Sequence, residues 1–214
     1  MSRLRITEVF YSLQGETSTT GLPTLFVRLT GCPLRCVWCD TEYSFSGGDY
    51  IELAQLLEQI DGHAPQYITV TGGEPLAQKA GCEALISELC DKGYKVSIET
   101  SGAMDIAGVD QRAVVVMDLK APDSGEMARN RLENIPLLKA NDEVKFVIAS
   151  RRDYDWSRMM LSEHKLTERC SVLFSPVHGE LEPRQLADWI VADNLPVRFQ
   201  LQLHKLLWND QPGH

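Results

Sequence analysis

The sequence predicts an α/β fold, an open and partial parallel β/α barrel of about six strands, and three observations carry that reading. Short runs rich in Val, Ile, Leu and Phe recur along the chain, as buried strands do. Between most of them lie apolar stripes at steps of three and four, the periodicity of amphipathic helices. Only about six or seven such units fit into 214 residues, too few to close the usual eight-stranded barrel.

The chain opens with a short unit over residues 4–13, read as an extra edge strand or a hairpin. Strands follow at 24–30, 67–71, 94–99, 113–119, 144–149, 171–175 and 197–201. Leu53, Leu56, Leu57 and Ile60 make the first helical stripe, and Cys82, Leu85, Ile86, Leu89 and Cys90 the second. Further stripes run through 132–138, 156–161 and 186–190. Alternation of strand and helix argues for parallel strands joined by crossover helices. No repeat, low-complexity tract or linker divides the sequence, so 1–214 reads as a single domain, with 122–125 as its one mobile loop. Function is sought at the carboxyl ends of the strands, where such sheets place their sites.

Composition narrows the partners. Apolar residues make up 43% of the chain, and 21 basic against 30 acidic side chains leave a net charge of -9. That balance argues against bulk attraction to nucleic acid or to anionic lipid and leaves room only for a local basic pocket. The longest apolar run, 113–117, is far shorter than the roughly 18 residues of a membrane span, and residues 1–5 lead into polar sequence without a signal-peptide core. A cytoplasmic protein is expected. Six cysteines in 214 residues are about 3%, well under the roughly 8 to 10% of a disulfide scaffold. Cys82, Cys90 and Cys170 are scattered and read as core.

Cys32, Cys36 and Cys39 are clustered in a loop that follows the first long strand, with spacing of three and then two. Zinc suits thiolates, but a structural zinc wants four closed ligands, and the next imidazole, His63, lies beyond a helix. In a four-iron cluster three cysteines suffice, and the fourth iron stays open for a substrate or cofactor. The following strand ends in Thr71-Gly72-Gly73-Glu74-Pro75. Glycines there let backbone carbonyls approach an ammonium group, to which Glu74 adds negative charge; the ordinary alternative is a turn with a capping acid.

With Trp38 ahead of the last cysteine, these motifs resemble the radical S-adenosylmethionine superfamily. Tyr11 to Glu16, Arg28, Cys39-Asp40-Thr41, Glu99 to Gly102 and Gln202 to Lys205 together resemble its 7-carboxy-7-deazaguanine synthase family, over essentially the whole chain. The resemblance implies a radical-type partial barrel and a lyase that converts 6-carboxy-5,6,7,8-tetrahydropterin to 7-carboxy-7-deazaguanine, with ring contraction and loss of ammonia, on the route to queuosine. It implies a [4Fe-4S] cluster on Cys32, Cys36 and Cys39, S-adenosylmethionine as a catalytic cofactor, and Mg2+ on Thr41, a hard ion on an oxygen ligand. No side chain is assigned as catalytic beyond the cofactor, which carries the difficult chemistry.

Carried over by position, Trp38, Cys39, Asp40, Gly72, Gly73, Glu74, Gly102, Asp118, Leu119 and Lys120 would meet S-adenosylmethionine. Leu13, Gln14, Gly15, Arg28, Glu99, Thr100 and His204 would meet the pterin. Residues 175–178 are a weaker candidate region, with His178 of open role. Arg28 is a cation in an apolar strand, which fits either a carboxylate clamp or a buried ion pair. Thr41 also reads as an ordinary cap. A one-electron donor such as flavodoxin or ferredoxin and a homodimer follow from the same resemblance.

Two departures from the family pattern stand out. Thr17 occupies a position where the family commonly has glycine, which would stiffen that loop. The chain also continues through Leu206, Asp210, Pro212 and Gly213 to His214, so a substrate contact by the terminal carboxylate is not assumed. Two rivals remain: an activating enzyme for glycyl radical proteins, and a non-catalytic zinc-binding module.

Overall fold

The computed structural model describes residues 3–209, 211 and 213. Its strands are β1 (Arg3–Leu13), β2 (Pro23–Leu29), β3 (Asp49–Glu52), β4 (Tyr67–Gly72), β5 (Lys95–Thr100), β6 (Val114–Asp118), β7 (Glu143–Ile148), β8 (Ser171–Pro176) and β9 (Arg198–Phe199). The helices are α1 (Leu53–His63), α2 (Lys79–Asp91), α3 (Arg151–His164), α4 (Leu166–Arg169), α5 (Pro183–Ala192) and α6 (Leu203–Trp208). One sheet holds the strands in the order β3-β1-β2-β4-β5-β6-β7-β8-β9. β1 pairs antiparallel with β2 and β3, and every neighbour from β2 to β9 is parallel. The sheet is open, and its parallel part is the predicted partial barrel.

Alternation along the strands sorts two faces. Leu25, Val27 and Leu29 of β2, Ile68 and Val70 of β4, and Val115 and Met117 of β6 are buried in the core, beside Leu56 and Ile60 of α1 and Leu85, Ile86 and Leu89 of α2. Each such aliphatic side chain contributes about 1.5–3 kcal/mol of transfer free energy. The other face carries Arg28, Thr71, Glu99, Asp118 and Lys145, which line a cavity. Among the described residues no helix is long and apolar enough to cross a membrane.

Four sequence expectations are corrected. β1 pairs antiparallel with β2, as a hairpin does, but it is not an edge, because β3 pairs beyond it, Arg3 against Glu52 through Ile6 against Asp49; the short, exposed Asp49–Glu52 has none of the apolar signal of a central strand. The stripe at 132–138 is a run of 3-10 turns, Leu132–Leu137, with Pro136 inside. Proline removes a helical donor, and Asn134 turns inward to give its amide to the carbonyls of Gly102 and Met104. The strand expected at 197–201 shrinks to Arg198–Phe199, with one more ladder bond from Gln200 N–H to Phe174 O at 2.9 Å, while the Gln200 side chain is bonded to Thr17 and Thr20. The loop expected to be mobile, 122–125, is a bonded turn: Asp123 N–H donates to Asp153 at 2.9 Å and the Ser124 hydroxyl to Ala121 at 2.6 Å.

Candidate active site

Strand β2 ends at Leu29, and Gly31, two residues on, has a φ of 103° that turns the chain into the cysteine loop. Buried Leu34 anchors this loop. Its backbone is held from the neighbouring turn, Val37 N–H donating to Ser124 O at 3.1 Å and Arg35 N–H to Glu126 Oε1 at 2.7 Å. Cys32, Cys36 and Cys39 are free, half-buried thiols on the cavity wall. Burial pushes the Cys32 thiol up and that of Cys36 up to about 11. Among the described residues no three His, Cys, Asp or Glu side chains converge on a single ion.

The glycine motif packs against this loop. A Cβ on Gly73 would come within 2.7 Å of both Cys32 Cβ and Gly31 O, and one on Gly72 would collide with Leu29 O. Glu74 N–H donates to Gly31 O at 2.8 Å. These glycines therefore let the β4 end approach the cysteine loop, besides lining the cavity themselves. Glu74 differs from expectation: it is fully buried behind the wall. Its carboxylate accepts from Leu76 N–H, the Thr100 hydroxyl, and both N–H and hydroxyl of Ser101 at 2.5–3.0 Å. It locks the end of β4 to the end of β5 rather than presenting charge to the cavity.

Polar side chains from adjacent strands meet across the cavity floor. Gln14 Nε2 donates to Glu99 Oε1 at 3.2 Å, and Thr71 Oγ1 to Glu99 Oε2 at 3.0 Å. Burial, reinforced by the nearby Glu16 charge, raises the Glu99 pKa. Burial also opposes ionisation of Glu16, but the Lys145 ammonium outweighs it and holds that carboxyl down to about 2. Lys145 is ion-paired with Glu16 and lies 3.8 Å from Asp118, which pairs with Lys120 at 2.9 Å. Sequence reasoning missed Lys145. Its signal was a cation inside an apolar strand, the same one that drew attention to Arg28.

Arg28 reaches the cavity through β2. Its Nε pairs with Glu8 Oε1 at 2.7 Å, and its guanidinium carbon lies 5.7 and 5.9 Å from the ring centres of Phe10 and Tyr43. The buried ion pair is thus present, and the same guanidinium also lines the cavity. Tyr43 donates to Glu8 at 2.8 Å, and burial raises its phenol to about 12.

The segment leading into α6 closes one end. Leu203 N–H donates to Gly15 O at 2.9 Å, Gln202 Nε2 to Glu16 Oε1 at 2.6 Å, and Lys205 pairs with Asp40 at 3.0 Å. His204 packs so closely on Gly15 that a Cβ there would fall on its Nδ1. Thr41 stands at the N-cap position of a 3-10 turn, Glu42–Ser44, yet its side chain makes no capping bond. Its hydroxyl is 3.8 Å from Cys39 Sγ. Thr17 has φ 71°, the left-handed conformation that glycine adopts freely, and Gln200 grips its N–H and C=O at 2.9 and 2.8 Å.

The cavity, of about 360 Å3, brings together Leu13, Gln14, Gly15, Arg28, Trp38, Asp40, Thr41, Gly72, Gly73, Glu99, Thr100, Asp118, Lys120, His178 and His204 with the three cysteines. Leu119 is not in the wall but fully buried in the core. Gly102 also stands outside it, at φ 73°, with Asp118 O and Met117 Cγ each 3.1 Å from where a Cβ would sit. Asp118 Oδ1 is buried without a partner on this wall, an acceptor suited to a donor on a bound group. Asp210, Pro212 and His214 lie outside the described residues.

Comparison with known proteins agrees with this architecture. The model of the radical SAM superfamily matches residues 26–160. A 7-carboxy-7-deazaguanine synthase of Koribacter versatilis (strain Ellin345) is 42% identical over 222 residues, covering 97% of this chain and 98% of the relative. One of Chlorobaculum tepidum is 43% identical over 209 residues, covering 96% and 94%. Among solved structures, QueE from Escherichia coli superposes with a TM-score of 0.72 at 23% identity, covering 94% of this chain and 95% of the other. TYW1 with a lysine-pyruvate adduct bound gives 0.54 at 13% identity, covering 79% and 73%. The two structural likenesses show the fold alone.

Proposed function

The chain belongs to the radical S-adenosylmethionine superfamily and, within it, to the 7-carboxy-7-deazaguanine synthase family, and we propose that it converts 6-carboxy-5,6,7,8-tetrahydropterin to 7-carboxy-7-deazaguanine with release of ammonia. Membership implies a lyase with a four-iron cluster and S-adenosylmethionine. The observation that carries the substrate assignment is one cavity lined both by three free cysteines and by Gln14, Arg28, Glu99 and Lys145.

The donor set fits the group it would hold: three thiols in one loop, packed tightly by Gly73, with a partnerless acid oxygen of Asp118 on the same wall. When bound, the cluster and S-adenosylmethionine supply one-electron cleavage and hydrogen abstraction from carbon. Asp118, Lys120, Trp38, Asp40, Gly72 and Gly73 line the seat assigned to that cofactor; Glu74 supports it from behind, and Leu119 and Gly102 through the backbone at the ends of β6 and β5.

The pterin seat follows from complementary chemistry. Glu99, held by Gln14 Nε2 and by Thr71, keeps acceptor capacity toward an edge bearing amino and N–H groups, and Gln14, whose N–H donors are spent on Thr69 and Glu99 and whose oxygen accepts from Glu16 N–H, fixes that carboxylate in place. Glu99, its pKa raised, can hold a proton there or accept one. Arg28 faces the substrate carboxylate as a charge-assisted donor. Leu13, Gly15, Thr100 and His204 complete the wall. Thr41, whose hydroxyl makes no capping bond, would hold Mg2+ in this reading, a hard cation that would supply positive charge for an oxygen-rich substrate group. A flavodoxin- or ferredoxin-like donor and pairing of two copies of the open-edged sheet belong to the same proposal, as does residues 1–214 acting as one domain.

The test is anaerobic incubation of the reconstituted protein with the pterin, S-adenosylmethionine, reductant and Mg2+, followed by mass analysis. A deazaguanine product with ammonia supports the reading. Cofactor cleavage without that product overturns the substrate assignment.

A further inference from the structure

Lys145, counted above among the cavity's lining, has been given no contact with either ligand in the seats just described. Lys145 points from the middle of β7 into the cavity, between Val144 and Phe146, which face the core. Parallel register sets it directly beside Asp118 of β6, and its carbonyl accepts from Leu119 N–H at 2.9 Å. Its ammonium is hydrogen-bonded to Glu16, which comes from the loop after β1, 129 residues earlier. Asp118 Oδ2 lies 3.8 Å away, inside ion-pair range but beyond a hydrogen bond.

The two carboxylates belong to different halves of the site. Glu16 follows Gln14 and Gly15 on the pterin side and is held from its other oxygen by Gln202 at 2.6 Å. Asp118 lies on the cofactor side, paired with Lys120, and keeps one oxygen partnerless. An ammonium has three donors, and a carboxylate that a ligand has ordered offers it a fixed target. Ordering one carboxylate therefore prepares the cation for the other, and the second ligand loses less conformational freedom on binding.

We propose that Lys145 is a positioning residue that couples the two seats, tying Glu16 and Asp118 into one ion triad so that filling either seat tightens the other. The inference rests on the assignment of the seats in the preceding section. It concerns binding, so it is read without turnover.

The experiment measures the Kd of S-adenosylmethionine for the reconstituted protein by anaerobic calorimetry without reductant, in the absence and presence of saturating 6-carboxytetrahydropterin. In the wild type the pterin is expected to tighten S-adenosylmethionine by about tenfold, a typical coupling between sites. Lys145→Met should bring that ratio close to one. Because it leaves Glu16 buried without its cation, the double variant Glu16→Gln, Lys145→Met, which is uncharged at both positions, is measured beside it. Lys145→Arg, which keeps the charge, should retain part of the coupling. A wild-type ratio in either Lys145→Met protein, or no coupling in the wild type, overturns the proposal. If the wild type makes deazaguanine but shows no coupling, Lys145 alone is misassigned; if it binds no pterin, the functional reading falls with it.

Discussion

Glu74→Gln separates two roles for the acid of the glycine motif. The carboxylate receives Leu76 N–H on one oxygen and Ser101 N–H on the other, with the Thr100 and Ser101 hydroxyls between them. An amide of the same shape must turn its NH2 toward one of those two backbone donors. The hydroxyls can rotate; a backbone N–H cannot. One orphaned buried donor costs about 1–3 kcal/mol, and the surviving bonds lose their charge assistance, so the expected loss is about 2–4 kcal/mol. At about 2–4 °C per kcal/mol for a chain of this size, Tm falls by about 4–16 °C. The assay is thermal unfolding of the cluster-free protein by circular dichroism, set beside the S-adenosylmethionine Kd of the reconstituted protein. An unchanged Tm with weakened cofactor binding would refute the reasoning, since it would mean that the carboxylate faces the cofactor.

Gly73→Ala places a Cβ 2.7 Å from Cys32 Cβ and from Gly31 O, so iron and sulfide per chain after reconstitution should drop well below the wild-type value; full loading would show that the loop gives way. Thr41→Ala is expected to weaken the Mg2+ dependence of product formation while iron content stays constant, and parallel loss of both would place the residue in the fold instead. Acid titration of urea unfolding tests the Glu16–Lys145 pair. The Glu16 carboxyl drops from 4.5 unfolded to about 2 folded, so its contribution is present above about pH 4.5 and fades as pH falls toward 2. Glu99, raised instead, acts oppositely, stabilising at low pH and losing that contribution as pH rises through its folded pKa. Glu16→Gln with Lys145→Met should abolish the first slope and retain the second.

Reading the fold from sequence succeeded where period alone decides. The six strands β2, β4, β5, β6, β7 and β8 fall within a residue or two of their apolar runs, because each buries one face against helices. It failed where a partner distant in sequence decides. β3 has no buried row and forms only because β1 offers it an edge, and the stripe at 132–138 yields to Pro136 and to Asn134. In the site, cysteines and glycines were legible from spacing, since their requirement is local. That Glu74 is enclosed was not, because Thr100 and Ser101 are 26 and 27 residues away. Lys145 was hidden in a run counted only for its apolar members.

The cavity-facing row explains why so many charges sit in parallel strands at all. Register puts Arg28 beside Thr71, Glu99 beside Val116, and Asp118 beside Lys145. Isolated, each ion would carry a heavy desolvation cost. Together they alternate in sign, Arg28 with Glu8, Lys145 with Glu16 and Asp118, Lys120 with Asp118. Replacing buried ion pairs with apolar residues is often neutral or stabilising, so stability does not account for the row. A face with fixed acceptors and donors, Asp118 Oδ1 still unpaired, is instead suited to a polar ligand that completes its pairing. The neighbouring strand faces, packed with Val70, Ile98, Val115 and Phe146, hold that row rigid while contributing nothing polar to it. Removing one charge therefore leaves another uncompensated, which is why the neutral double variant, and not the single one, isolates function from folding.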